Sequence, residues 1–339
     1  MTFDPITWLR ANLPLGPGSS AAFIYEHLES QSGRSLPGIY LPFDPANPRH
    51  VSDLGCVLDF ALHAGTGRVL DFGPGDGWPS LDLAPLVREV VGVESCPKRT
   101  ETCRNNATRL AIRNATFLHV PDGAPLPFPD DHFDGATAAS SLEQSVDPKA
   151  ALREILRVLR PGGRLRMSFE SLQDYRGEEE RDLWIFPSGE REMRILFYDR
   201  HIDGEYVDHV GLVLKLSQGE IGQSLARYSA DGSYRGISEP LLREWADQVQ
   251  EACQWRTLHP SCATWLAWLR EAGFREAVPT RGGGPVAGEI WHNLPAGERP
   301  STREALNALL RVRLPDIISR GVSETPGSAD RDPWITAKK

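Results

Sequence analysis

The chain has 339 residues, with 37 Lys and Arg against 46 Asp and Glu and a formal net charge of -9. That length allows one large or two modest domains with a substantial core. The acidic balance, with no block of Lys or Arg, argues against nucleic acid or an anionic membrane as partner.

Cys56, Cys96, Cys103, Cys253 and Cys262 are scattered, with no C-x-x-C pair, so neither a disulfide framework nor a zinc or other metal site is expected. Met1 to Leu15 carries Asp4 and Arg10 and lacks a continuous apolar stretch, and no run approaches the roughly 18 apolar residues of a membrane span. A soluble, cytoplasmic protein is the expectation.

Residues 1–50 read as an N-terminal cap segment. Ser19 and Ser20 can cap a short helix through Ala21 to Leu28, after which Pro37, Pro42, Pro45 and Pro48 break the chain. Such a stretch is expected to lie across the main domain, with Tyr25, Tyr40 and His50 used in packing. A helix over Ser52–Ala64 follows, its stripe made by Leu54, Val57, Leu58, Ala61 and Leu62.

Val69-Leu70-Asp71-Phe72-Gly73-Pro74-Gly75-Asp76-Gly77 is an apolar strand that runs into alternating glycines. Glycines there let a ligand lie against the main chain. The dinucleotide fingerprint G-x-G-x-x-G also follows a first strand, but its pyrophosphate needs an anion-accepting helix start. Asp71 and Asp76 would repel a phosphate, so a cationic ligand suits this turn better.

The second strand, Glu89–Glu94, ends on an acid about 20 residues past the glycines, where a carboxylate can accept both hydroxyls of a ribose. The third, Ala115–Val120, leads into Pro121-Asp122-Gly123, whose acid can accept an exocyclic amine or simply serve the turn. The fourth, Gly135–Ser140, is built of small residues. A helix over Pro148–Leu159, the turn Arg160-Pro161-Gly162-Gly163 and a strand over Arg164–Glu170 complete this part.

Asp71-Phe72-Gly73-Pro74-Gly75-Asp76-Gly77, Glu94, Asp122-Gly123, Leu126-Pro127-Phe128 with Phe133-Asp134, and Arg157-Val158-Leu159-Arg160-Pro161-Gly162-Gly163 stand in an order that resembles the class I S-adenosylmethionine-dependent methyltransferases, most of all their small-molecule branch. The resemblance implies a Rossmann-like α/β fold: an open sheet of seven strands, mostly parallel with an antiparallel last strand, helices on both faces, and an inserted α+β lid. It implies S-adenosyl-L-methionine as cofactor. Gly73, Gly75 and Gly77 would pass under the methionine part, Asp71 would hold its amino group, Glu94 the ribose and Asp122 with Gly123 the adenine, and Ser140 would line the site. Two departures stand out. Trp78-Pro79 follows the last glycine, and Glu143-Gln144 replaces the Glu-His of many relatives, which removes a histidine base at that place.

The S-adenosylmethionine-binding core is thus expected over residues 51–170 and its remainder over 262–339. Trp265 to Phe274 resembles the family's last helix running into strand six, and Asp332 to Lys338 the seventh strand. Between them fall a flexible turn at Gly282-Gly283-Gly284 and a helix from Thr302 that Pro315 kinks or ends. Residues 171–261 form an insertion. It begins with the solvated acids Glu178-Glu179-Glu180, contains a β-hairpin over Arg194–Leu216 that turns at Asp203-Gly204, and ends in a helix over Glu239–Cys253. Two roles are open to it, covering a small-molecule acceptor or pairing two subunits as a homodimer. Candidate proton acceptors are His50, Glu143, Glu170, Tyr198, His201 and His209.

The expected activity is methyl transfer to an O, N or C atom of a small organic molecule. The alternatives are an S-adenosylmethionine-binding partner or regulatory subunit without chemistry of its own, and a nicotinamide oxidoreductase.

Overall fold

A computed structural model describes residues 3–27, 43–44, 47–172, 180–322 and 333–339. Leu28, Pro37, Tyr40, Pro42, Pro45, Glu178, Glu179 and Asp332, named above, lie outside the described residues. In chain order the elements are α1 (Pro5–Asn12), β1 (Gly16–Pro17), α2 (Pro48–Ala64), β2 (Arg68–Phe72), α3 (Ser80–Leu83), β3 (Glu89–Glu94), α4 (Pro97–Arg109), β4 (Ala115–His119), β5 (Phe133–Ala139), α5 (Pro148–Val158) and β6 (Leu159–Ser168). There follow β7 (Arg181–Gly189), β8 (Glu192–His201), β9 (Tyr206–Leu214), α6 (Gln218–Arg227), α7 (Glu239–Ala246), β10 (Val249–Leu258), α8 (Cys262–Ala272), β11 (Arg275–Thr280), α9 (Gly283–Asn293), α10 (Arg303–Ile318) and β12 (Trp334–Lys338). They form two compact units, one of residues 1–29 with 172–259, the other of residues 30–171 with 260–339.

The larger unit is built on a seven-stranded sheet of order β11-β12-β6-β5-β2-β3-β4. β2 to β6 run parallel, and β12 is antiparallel to both β6 and β11. These strands read as apolar runs because both faces are covered. On one side Leu152, Ile155 and Val158 of α5 and Trp265, Leu266 and Leu269 of α8 meet Ala136, Leu165 and Met167 of the sheet. Elsewhere in the unit α2, α9 and α10 pack on each other through Leu54, Leu58, Val286, Ile290, Leu306 and Leu310.

Gly282-Gly283-Gly284, expected as a flexible turn, is instead the start of α9 and the point where it crosses α2. A Cβ on Gly55 would fall 2.3 Å from the Gly283 carbonyl oxygen and 2.5 Å from Ala287 Cβ. Side chains are excluded there by the helix crossing. Gly55→Ala is therefore expected to cost about 1–3 kcal/mol through overpacking, read as a lower denaturant midpoint at unchanged slope; an unchanged midpoint would show that the two helices separate freely. Pro315 likewise does not end α10, which continues to Ile318 with Leu314 and Ile318 buried on either side of it.

One polar network runs through this unit. Arg166 of β6 is wholly buried and donates to both oxygens of Asp59 on α2, at 2.9 and 2.7 Å. It also donates to Thr280 Oγ1 at 2.7 Å and Thr336 Oγ1 at 3.0 Å, and lies over the Trp334 ring. Asp59 in turn accepts the Gly283 N–H at 2.8 Å and contacts His63 Nδ1 at 2.6 Å.

The smaller unit holds a five-stranded sheet of order β1-β10-β9-β8-β7. The hairpin is β8–β9, with its turn at Ile202–Gly204. Alternation along the strands sorts the two faces: Ile195, Phe197, Val210 and Leu212 pack with Leu241 and Trp245 of α7, while Leu196, Val213 and Cys253 pack with Phe23 and Phe186. Residues 1–50 do not act as one cap segment. Ile6 and Leu9 of α1 enter the first of these clusters, and Gly16–Pro17 pairs in parallel with Cys253–Gln254, which ties residues 1–29 to this sheet. The helix expected over Glu239–Cys253 also ends early, at Ala246, because Val249–Leu258 completes the sheet beside β9.

Candidate functional site

In the larger sheet β3 and β4 wind to one side of β2 and β5 and β6 to the other, so the strand order reverses between β2 and β5. Ligands of open α/β sheets bind outside the carboxyl ends of the strands at such a point. The residues that leave β2, β3, β4 and β5 there are the glycine turn, Glu94, the Pro121–Gly123 turn and the segment from Ser140 to Glu143.

Gly73, Gly75 and Gly77 all have left-handed φ, at +73°, +60° and +115°. Gly73 donates its N–H to the Val93 carbonyl at 2.9 Å, and a Cβ there would fall 2.5 Å from Ser141 Cβ. Only glycine satisfies both conditions. Glu94 is 5% exposed. Its Oε2 accepts the Gly75 N–H and its Oε1 the Cys96 N–H, both at 3.0 Å. Burial pushes this carboxyl up, while the Arg99 charge and the backbone donors pull against that shift. Each oxygen keeps a lone pair for a further donor.

Asp71 does something other than expected. Its carboxyl is fully buried, with Ser80 Oγ donating to one oxygen at 2.5 Å and Thr137 Oγ1 to the other at 3.0 Å. Burial pushes it up to about 7, against those hydrogen bonds. It fastens the end of β2 to α3 and β5, in place of the expected grip on an amino group.

Asp122 is exposed and accepts Ser145 Oγ at 2.9 Å on one oxygen and the Val146 N–H at 3.0 Å on the other. This pair draws the Pro121–Gly123 turn to the loop after β5. Gly123 has φ +77°, and a Cβ there would meet Val146 Cγ1 at 3.2 Å. Val146, 69% exposed beside this turn, is an apolar surface that sequence reasoning passed over, since Ser145-Val146-Asp147-Pro148 reads only as a loop.

Ser140 has φ +48° and donates its N–H to the Ser168 carbonyl at 3.2 Å. Ser141 Oγ donates to the Phe72 carbonyl at 2.5 Å. Glu143 is fully buried, with Oε1 accepting the Glu170 N–H at 3.0 Å; Glu170 is exposed at the end of β6.

Of the other candidates, one lies in the larger unit and three in the smaller. His50 is buried in the first turn of α2, its Nδ1 accepting the Asp44 N–H at 3.0 Å. Tyr198, His201 and His209 belong to the smaller unit. His209 is stacked 4.8 Å from Trp255 and lies 2.9 Å from Thr257 Oγ1, and burial pushes it down to about 3. A ring so reluctant to take a proton is a poor base at neutral pH. His201 stacks on Tyr206 and sits 3.5 Å from Asp199 and 3.6 Å from Asp208, and Tyr198 meets His209 edge-on. Among the described residues no group of three or more His, Cys, Asp and Glu is arranged to hold a metal ion, and no helix is long and apolar enough to cross a membrane.

Residues 70–167 match a family described as a methyltransferase domain. The chain is 35% identical over 112 residues to an uncharacterized methyltransferase, YcgJ, of Bacillus subtilis, covering 33% of this chain and 44% of that protein. It is 37% identical over 115 residues to a demethylmenaquinone methyltransferase of Thermus thermophilus (32% and 50%). It is 35% identical over 107 residues to the 27-O-demethylrifamycin SV methyltransferase of Amycolatopsis mediterranei (31% and 39%). The chain thus spans half or less of the length of these relatives.

Proposed function

We propose, from the premise that residues 70–167 are a class I S-adenosylmethionine-dependent methyltransferase domain, that the protein moves a methyl group from S-adenosylmethionine to an O, N or C atom of a small organic molecule. One observation carries the reading: at the strand-order reversal, a turn of left-handed glycines is bonded through Gly75 to a buried carboxylate, Glu94, whose oxygens still have accepting capacity.

These residues fit the donor. Gly73, Gly75 and Gly77 would carry its methionine part against bare backbone, Glu94 would accept the ribose hydroxyls, and the Asp122–Gly123 turn with Val146 would flank the adenine. Bound there, the donor supplies an electrophilic methyl on a positively charged sulfur. The protein's task is to hold the acceptor in line and keep water out. The acid within the turn, Asp76, disfavours the pyrophosphate of a dinucleotide. Two relatives are named for action on a demethylmenaquinone and a demethylrifamycin, which supports a small organic acceptor. Five buried cysteines, none of them in a disulfide, support a reducing, cytoplasmic setting. Acceptor choice we assign to the chain outside residues 70–167.

The test is incubation with methyl-labelled S-adenosylmethionine and a panel of phenols, quinols, amines and carbon acids. Label in a product, with S-adenosylhomocysteine formed alongside it, is the expected result. Tight donor binding with no transfer to any acceptor would favour a partner subunit without chemistry, and binding of NAD(P) with S-adenosylhomocysteine ignored would favour an oxidoreductase.

A further inference from the structure

The amino-acid end of the donor loses its expected acid once Asp71 is committed to Ser80 and Thr137. S-adenosylmethionine carries an ammonium and a carboxylate on one carbon, so a site for that end calls for an acceptor with a cation beside it. The backbone of the turn is heavily engaged already. The carbonyls of Phe72, Pro74, Gly75, Asp76 and Gly77 accept from Ser141 Oγ, the Gly77 N–H, Cys103 Sγ, Asn106 Nδ2 and the Leu81 N–H, in that order.

Asp76 is the acid that stands within the turn, between Gly75 and Gly77, and it is half-buried where Asp71 is sealed. Cys103 and Asn106 of α4 fix the Gly75 and Asp76 carbonyls, at 3.1 and 2.9 Å, and with them the main chain that carries this side chain. Burial raises Asp76, against the Arg99 charge, the Trp78 N–H and the Arg49 charge. The two guanidinium groups come from different elements, Arg99 from the first turn of α4 and Arg49 from the first turn of α2.

These cations are not equivalent. Arg99 is also the positive charge that acts on Glu94, and its Nη1 lies 3.7 Å from where a Cβ on Gly75 would stand. Arg49 is largely exposed and meets Asp53 at 3.5 Å, a long and loose ion pair. Glu94, Arg99, Asp76 and Arg49 thus alternate in sign, each acting on the next. Followed outward from Glu94, the row reaches Asp76 and Arg49 last, and the amino-acid end is the part of the donor that lies beyond its ribose and sulfur.

We propose that Asp76 and Arg49 seat the amino-acid end of the methyl donor, the Asp76 carboxylate accepting from its ammonium group and the Arg49 guanidinium donating to its carboxylate, with Arg99 staying between Asp76 and Glu94. This rests on the assignment of S-adenosylmethionine to the turn.

Calorimetric titrations into the full chain compare ligands that differ at this end. Methylthioadenosine has the nucleoside and sulfur of S-adenosylhomocysteine without the amino acid, and decarboxylated S-adenosylmethionine lacks only the carboxylate. Asp76→Asn should weaken S-adenosylhomocysteine about tenfold or more and leave methylthioadenosine within about twofold, whereas Glu94→Gln weakens both. Asparagine keeps the shape of the side chain and an oxygen for the Trp78 N–H, and unchanged binding of methylthioadenosine reports an intact turn. Arg49→Gln should weaken S-adenosylmethionine about tenfold and its decarboxylated form within about twofold. Equal loss of both ligands in Asp76→Asn, loss of neither, or a wild type that binds S-adenosylhomocysteine no tighter than methylthioadenosine overturns the proposal. So does an Arg49→Gln protein that loses both forms of S-adenosylmethionine equally, or neither. Failure of the wild type to bind any of these ligands would instead overturn the donor assignment beneath it.

Discussion

Arg166→Met is expected to destabilise the larger unit by about 3–5 kcal/mol, because it leaves the Asp59 carboxylate buried without its guanidinium partner. At about 2–4 °C per kcal/mol for a unit of this size, the melting temperature should fall by roughly 6–20 °C. Arg166 and Asp59 are both fully buried and meet through two hydrogen bonds, and the same guanidinium ties β11 and β12 through Thr280 and Thr336. Burial alone would raise Asp59, yet the Arg166 charge and the His63 and Arg166 hydrogen bonds hold it below its ordinary value. A carboxyl whose folded-state pKa is depressed contributes stability above its unfolded value, about 4, and loses that contribution as pH falls through the folded value. The gap between wild type and variant should accordingly narrow on acidification, where Asp59 of the variant takes up a proton. The double variant Asp59→Leu with Arg166→Met should lie closer to the wild type than the single one does, since an apolar pair leaves no stranded charge. A single variant within about 1 kcal/mol of wild type, a small effect on the usual scale of core substitutions, would show that Asp59 is relieved by some other group.

The second large effect falls on the donor. Glu94→Ala removes the proposed acceptor for two ribose hydroxyls, and hydrogen bonds to a charged group contribute about 1.5–3 kcal/mol each. A net loss of about 3 kcal/mol corresponds to roughly a hundredfold weaker binding of S-adenosylhomocysteine. The same substitution frees the Gly75 and Cys96 N–H groups, so Glu94→Gln, which keeps one acceptor oxygen, should fall between the two proteins. Unchanged affinity in a folded Glu94→Ala protein would contradict the ribose assignment.

The sheet of the larger unit was legible because its strands are apolar runs that stop on acids or glycines, and Gly73, Gly75 and Gly77 mark the turn without help from the rest of the chain. Side-chain commitments that depend on distant partners were not legible. Asp59 and Arg166 are 107 residues apart, and neither stands out locally. Asp71 looks like a ligand-facing strand end until Ser80 and Thr137 are seen on its two oxygens. The glycines at Gly282 to Gly284 suggest freedom in a sequence, whereas here they allow the close crossing of α2 and α9.

The smaller unit was read least well, for a physical reason. Val249 to Leu258 has strand character only through its pairing with β9, and its polar residues Gln250, Glu251 and Gln254 blur the alternation that a half-buried strand would show. Residues 1–29 join that sheet through contacts far along the chain, which no local pattern announces.

The most direct test of the account is an experimental structure with S-adenosylhomocysteine bound. The prediction places its methionine part on Gly73 to Gly77, its ribose hydroxyls on Glu94 and its adenine against the Asp122–Gly123 turn and Val146. Density for the ligand at any other edge of the sheet, or with Glu94 still bonded only to Gly75 and Cys96, would contradict it.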